Sequence, residues 1–160
     1  MTQWQIYTDT VTQHTVTGDV RVTRALHSPQ LDNTRDIFVW LPPDYITSDR
    51  RYPVIYMHDG QNLFDAHVSN SGEWQADETM TALFAEGYAA IIVAVPNAGE
   101  ARRLEYSPYL NDSPLLPIHD ARGDRYLRFL IDTVKPLIDH DFRTLPAAAS
   151  TGIAGSSMGG

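Results

Sequence analysis

The stretch Thr151-Gly152-Ile153-Ala154-Gly155-Ser156-Ser157-Met158-Gly159-Gly160 decides how this chain is read. Thr151 to Ala154 is a short apolar run of strand type, and Gly155-x-Ser157-x-Gly159 follows it directly. A serine between glycines two residues away on either side fits a tight strand-to-helix turn. The small residues let strand and helix approach closely while the serine hydroxyl is pushed above the sheet edge. With glycine and serine each near 7% of residues, three such fixed positions match by chance roughly once in 3,000 windows. The preceding strand and the small flanking residues Ala154 and Gly160 make the match more specific still.

Working outward, a second turn stands out. Pro53-Val54-Ile55-Tyr56-Met57 is a short apolar run that enters His58-Asp59-Gly60-Gln61-Asn62, and it reads as a buried strand ending in a sharp turn. Thr12 to Arg24 alternates as a half-exposed strand does, with a bend at Gly18-Asp19. Asp36 to Leu41 is another strand, closed by Pro42-Pro43. Trp74 to Glu86 suits a helix with Met80, Leu83 and Phe84 on one side, Gly87 as its C-cap and Trp74 as a packing residue at its start. Ala89 to Val95 is a buried strand, stopped by Pro96-Asn97. Ala98 to Asp120 has no sustained period and reads as a long loop. Tyr126 to Ile138 predicts a helix whose apolar stripe is Leu127, Leu130, Ile131, Val134 and Ile138, with Pro136 loosening its last turn.

Two leading strands followed by strand, helix, strand, loop, helix and strand predict an α/β fold, the later strands parallel and joined by right-handed crossovers. Ligands in open sheets of this kind lie beyond the carboxyl ends of the strands. Both glycine-containing turns fall at such ends.

The bulk composition narrows the classes. At 160 residues there is room for one domain with a sizeable core. Twelve Lys and Arg against twenty Asp and Glu leave a net charge of −8, which argues against a nucleic-acid partner. There is no cysteine, so disulfides, thiolate metal sites and a cysteine nucleophile are excluded. The first residues show neither a basic nor an apolar signal segment, and no run approaches the roughly 20 apolar residues of a membrane span. The expectation is a soluble, cytoplasmic protein with no membrane partner.

Three stretches together, Asp36 to Tyr45, Tyr52 to Asp65 and Gly155 to Gly160, resemble the esterase D-like "putative esterase" family of the α/β-hydrolases. That family includes S-formylglutathione hydrolases, siderophore and feruloyl esterases and mycolyltransferases. The resemblance runs from about Val20 to Gly160 and implies the N-terminal portion of a single α/β-hydrolase domain, with antiparallel leading strands on a mostly parallel sheet. It implies a serine carboxylic-ester hydrolase without metal or cofactor, working on a small-molecule ester through an acyl-serine intermediate. Ser157 would be the nucleophile, Gly155 and Gly159 the elbow glycines, and the backbone N–H groups of Met158 and Gln61, or Gly60, the oxyanion donors. His58, Asp59, Arg103 and Tyr106 are candidate substrate-binding residues; for the Arg and Tyr residues of the long loop, simple tethering of that loop is the competing reading.

In this superfamily the acid and the histidine follow the serine in chain order. All six histidines here precede Ser157, so both triad partners are expected beyond residue 160. The 160-residue chain alone is accordingly expected to be inactive and prone to association through its sheet edge. Acyl transfer of the mycolyltransferase type and a non-catalytic α/β-hydrolase-like binding module are the alternatives.

Overall fold

A computed structural model describes residues 3–115 and 117–160. Six strands, β1 (Gln5–Ile6), β2 (Asp19–Ser28), β3 (Asn33–Leu41), β4 (Val54–His58), β5 (Ile91–Val95) and β6 (Thr151–Ala154), form one mixed sheet in the order β1-β2-β3-β5-β4-β6. β1, β2 and β3 are antiparallel neighbours, and β3 also runs antiparallel to β5. β4 lies parallel to both β5 and β6, with Tyr56 opposite Val93 on one side and Ile153 on the other. The expected parallel set, preceded by antiparallel strands, is therefore present.

Strand alternation sends side chains to two separate cores. Ile37, Val39, Ile91, Val93 and Val95 point to one face and pack with Tyr126, Phe129, Val134 and Ile138. Phe38, Trp40, Ile92 and Ala94 point to the other and pack with Met80 of α1 (Ala76–Ala85). Both faces of the central strands are thus covered by helices, which is why β5 reads as an unbroken apolar run. After α1, Gly87 takes φ +94° and donates its N–H to the Phe84 carbonyl at 3.0 Å, as expected of a C-cap residue.

Two expectations change. The strand read from Thr12 begins only at Asp19, because Gly18 turns the chain at φ +84°. The Thr15 to Thr17 segment bonds instead to carboxylates of distant loops and of α1. The long helix spans α3 (Gly123–Phe129), a π-turn over Leu130–Val134 and α4 (Lys135–Asp141). Its buried face matches the predicted stripe in part: Leu130, Val134 and Ile138 are buried as expected, but Leu127 and Ile131 are 46% and 62% exposed, and Tyr126 and Phe129 are buried in their place. A π-turn inserts extra rotation, so a 3.6-residue period cannot be carried across it. It lies just ahead of Pro136, whose ring would press on the carbonyl of a regular preceding turn.

The long loop acquires structure of its own. It contains a helical turn, α2 (Arg102–Glu105), and a bridge between Asn111 and Ile118. Glu105 is fully buried and accepts hydrogen bonds from Arg35 at 2.8 Å and Asn33 Nδ2 at 2.9 Å, both on β3. The Arg35 guanidinium also lies 5.0 Å from the centre of the Phe129 ring. This pair ties the loop to the sheet. None of the helices among the described residues is long and apolar enough to cross a membrane.

Breaking the pair from one side leaves a buried charge unmatched. Glu105→Ala is expected to cost about 3–5 kcal/mol, and Arg35→Met with Glu105→Met together far less. Urea unfolding of the three proteins measures the difference.

Candidate active site

β4 and β6 are parallel neighbours, so their carboxyl ends open side by side. Each continues into a tight turn of the same kind. After β4, Asp59 takes a left-handed conformation (φ 54°), and a 3-10 turn over Gly60–Asn62 follows. After β6, Ser157 itself is left-handed (φ 59°) and opens a 3-10 turn over Ser157–Gly159. A left-handed non-glycine residue is uncommon and costs of order 1–3 kcal/mol, so it persists only where its surroundings enforce it.

The glycines supply that enforcement. A Cβ on Gly155 would stand 1.9 Å from the Gly159 carbonyl oxygen and 2.9 Å from the His58 ring. One on Gly60 would stand 2.4 Å from the Val95 backbone nitrogen. Each turn can therefore fold tightly against its neighbour only with glycine at these places. Gly159 in turn lies close to His58 and Tyr106.

Hydrogen bonds close both turns in the same manner. Asn62 N–H donates to Asp59 O and Leu63 N–H to Gly60 O, while Gly159 N–H donates to Ser156 O and Gly160 N–H to Ser157 O. By these bonds the amides of Gln61 and Met158 occupy matching places, although the left-handed residue precedes the first turn and opens the second. Ser157 is exposed and lines a cleft of about 480 Å³ with Gln61, Trp74, Asn97 and Arg102.

Asp59, though buried, lines the floor of this cleft. Its carboxylate receives Arg102 Nε at 2.7 Å and Nη2 at 2.8 Å, and Asn97 Nδ2 at 2.6 Å. Its own backbone N–H donates to the Tyr106 hydroxyl at 3.1 Å. Burial pushes the Asp59 carboxyl upward, but the bonds from Arg102 and Asn97 and the Arg102 charge outweigh it and hold the group below its usual range. Gln61 Oε1 accepts the Asn97 N–H at 3.1 Å, which links the turn to the end of β5.

His58 faces the other way. Its Nδ1 lies 2.7 Å from the Tyr126 hydroxyl, and its ring stacks at a tilt with Tyr106 and Tyr126. Burial lowers its pKa, partly opposed by the Asp59 charge. His58, Tyr106, Tyr126, Ile153 and Met158 line a second, mostly apolar hollow of about 310 Å³ beside Gly155.

The candidate residues therefore divide. Ser157, Met158, Gly155, Gly159, Gly60 and Gln61 converge on adjoining turns. Asp59 and His58 are held in internal bonds beneath them, and Tyr106 supports both. Arg103 is half-buried on α2 and lines neither hollow. Asn97, Trp74 and the bidentate role of Arg102 were not predicted. Arg102 lies 43 residues from Asp59, and no local pattern signals such a pair. Among the described residues no histidine is hydrogen-bonded to Ser157; His67 and His140 lie against Asp65 and Asp141.

The comparisons with known proteins agree with this fold. The family described as "Putative esterase" matches residues 28–160, and the chain belongs to that family. The fold is that of the α/β-hydrolase-like esterases. It is similar to an IroE-like serine hydrolase from Shewanella oneidensis (TM-score 0.66, 24% identity), covering 88% of this chain and 43% of that one. It is also similar to the BES protein from Bacillus cereus (TM-score 0.67, 22% identity, 93% of this chain and 55% of that one). An uncharacterized protein, YbbA, from Bacillus subtilis (strain 168) is 26% identical over 132 residues, 79% of this chain and 48% of its own length. The chain thus spans about half the length of these relatives.

The lowered His58 pKa has a consequence for stability. The unfolded chain takes up a proton at His58 near pH 6.5, whereas the folded one resists it. Stability is therefore full above pH 6.5 and falls as pH drops from there through the folded-state pKa. Asp77, whose pKa burial raises to about 7, contributes in the opposite sense over this window, so the His58 loss is read as the difference between wild type and His58→Asn. The urea midpoint of His58→Asn relative to wild type is expected to rise as pH drops from about 8 to about 5.

Proposed function

We propose that the full-length protein is a serine carboxylic-ester hydrolase and that Ser157 is its nucleophile. The observation that carries this reading is the left-handed Ser157, exposed at the carboxyl end of β6, with a second 3-10 turn alongside it at the end of β4. A serine in that position presents its hydroxyl to the cleft while the backbone behind it stays fixed. The family match and the likeness to ester-cleaving proteins, among them an enterobactin esterase from Shigella flexneri (TM-score 0.63, 17% identity), support the assignment.

In this mechanism Ser157 Oγ attacks the ester carbonyl carbon and gives its proton to a general base. The carbonyl π electrons move to oxygen, and the N–H groups of Met158 and Gln61, with Gly60 as the alternative donor, bind the resulting oxyanion. One such donor is worth roughly 3–4 kcal/mol of transition-state stabilisation. Collapse of the intermediate expels the alcohol, which takes the proton back from the base and leaves an acyl-Ser157 ester. Water then repeats the sequence and releases the carboxylic acid. The base fits a histidine oriented by an Asp or Glu, groups that follow the serine in chain order in enzymes of this fold.

The surroundings fit a small-molecule ester. The cleft wall of Gln61, Asn97, Arg102 and Trp74 offers polar contacts on one side of Ser157, and the hollow beside His58 and Tyr106 offers an apolar one on the other. Either can receive one half of an ester whose carbonyl lies between the two turns.

The test uses the full-length protein with short-chain nitrophenyl esters and a fluorophosphonate probe. Ser157→Ala is expected to abolish labelling and lower kcat by about four orders of magnitude or more. Undiminished turnover in that variant would overturn the assignment. Gly60→Ala tests the companion turn: the added methyl collides with the β5 backbone, so kcat is expected to fall about 10²-fold as the oxyanion donors move.

A further inference from the structure

Thr15, Thr17 and the first turn of α1 meet on the side of the molecule where residues 73–78 leave the Ser157 cleft. Three carboxylates converge there. One oxygen each from Glu73, Asp77 and Glu78 lies within 4.8 Å of the others. Asp77 is fully buried and Glu73 and Glu78 are half-buried.

The hydrogen bonds around them use one side of every carboxylate. Thr15 Oγ1 donates to Glu73 Oε1 at 2.8 Å, the Thr17 N–H to Asp77 Oδ2 at 2.6 Å, and Thr17 Oγ1 to Glu78 Oε1 at 3.2 Å. The other side is unmatched. Asp77 Oδ1 and Glu78 Oε2 are buried from solvent and receive no donor from the rest of the described chain, and the two carboxyls lie within hydrogen-bonding reach of each other. Among the described residues no lysine or arginine forms an ion pair with any of the three. Removing an acceptor from water without a partner is expensive, and placing carboxylates side by side adds repulsion. The threonine donors hold the three groups in this arrangement.

We propose that Glu73, Asp77 and Glu78 form a site for a hard divalent cation, with Ca²⁺ the best fit. Oxygen-only ligands select Ca²⁺ or Mg²⁺ over softer metals. A ligand spacing of up to 4.8 Å is spanned by one ion with Ca–O distances of 2.3–2.6 Å, whereas Mg²⁺ demands tighter, near-octahedral geometry. Water would complete the coordination shell on the half-exposed side. The ion gives Asp77 Oδ1 and Glu78 Oε2 their missing partner and offsets three adjacent negative charges.

Its position also gives it a structural role. Glu73 precedes Trp74, and Trp74, Asn70 and Ser71 form one wall of the Ser157 cleft. A cation shared by Glu73 and the start of α1 would pin that wall to the helix and, through Thr15 and Thr17, to the segment leading into β2.

The test uses full-length protein stripped with EDTA. Terbium(III), a hard oxygen-seeking probe, is titrated in with excitation at 295 nm, where adjacent Trp74 sensitises its emission. Added Ca²⁺ is expected to quench that emission competitively and to raise the Tm. Asp77→Asn is expected to remove both effects. Because that variant alters a buried group and could fail to fold, the less buried Glu73→Gln provides a second test, with apparent affinity at least about tenfold weaker. Trp74→Phe should weaken the sensitised emission, with Trp40 beside Thr17 left as a second sensitiser, but keep the Ca²⁺-dependent Tm rise. Glu86→Gln, at the far end of α1, should behave as wild type. The proposal is overturned if millimolar Ca²⁺ leaves the wild-type Tm unchanged, in which case a proton shared by Asp77 and Glu78 satisfies the buried oxygens. It is also overturned if the Tm rise survives unweakened in Glu73→Gln.

Discussion

Asp59 sits at the carboxyl end of β4 in a left-handed conformation, and its carboxylate takes both Arg102 nitrogens and Asn97 Nδ2 within 2.8 Å. Much of the candidate site hangs from that contact. Arg102 comes from the loop after β5 and Asn97 from the end of β5, so a single side chain fixes the turn after β4 to two other elements. The Arg102 side chain is 26% exposed, so part of its charge remains solvated and the pair escapes the full desolvation cost of a buried one. The bidentate geometry also fixes direction, which one point charge would not do. With Asp59 clamped, Gly60 can lie against the β5 backbone and the Gln61 amide is held where the β6 turn can face it.

A second constraint works with the first. Gly155 and Gly159 bring the β6 turn onto itself and against His58, so the two turns are locked to one another through that ring. His58 is held by the Tyr126 hydroxyl, and Tyr126 belongs to the helix that covers one face of the sheet. The exposed Ser157 is therefore supported from below by packed residues, while the cleft in front of it is walled by polar ones. A rigid floor under an exposed nucleophile is what acyl chemistry requires, because the oxyanion donors must not have to rearrange as charge develops.

How much of this was legible in the sequence follows from the range of each interaction. The strands were readable because β5 is buried along its whole length and reads as an unbroken apolar run. β3 is apolar and buried from Ile37 to Leu41, and β4 is apolar from Val54 to Met57 with buried and half-buried positions alternating. The two turns were readable because close backbone approach tolerates only glycine, and Gly60 and Gly155 mark those places directly. On the helix the expected stripe holds at Leu130, Val134 and Ile138 but fails at Leu127 and Ile131, because a π-turn leaves no local signature beyond Pro136 just after it. Arg102 with Asp59 and Arg35 with Glu105 were out of reach for a different reason. They are 43 and 70 residues apart, and charged residues in a loop look alike whether they tether it or face solvent.

The charge pattern around the cleft sharpens the same point. Two groups of carboxylates lie near it, and the fold treats them oppositely. Asp59 has a guanidinium and an amide placed for it and keeps its charge at lower pH than a free aspartate does. Asp77 and Glu78 have only threonine and backbone donors on one side, and buried oxygens on the other receive no donor from the rest of the described chain. A net charge of −8 means that the arginines and lysines cannot neutralise every acidic group, so some must face water or another cation. Exposed acids such as Glu86 and Glu100 face water. Asp77 cannot, since it is buried at the start of α1 by the segment that leads into β2. The helix N-terminus offsets part of this charge, by at most about 2 kcal/mol in partly buried settings. That is less than the cost of a buried, unpartnered carboxylate oxygen beside two like charges, and a bound cation is the partner whose charge and ligand preference match what remains.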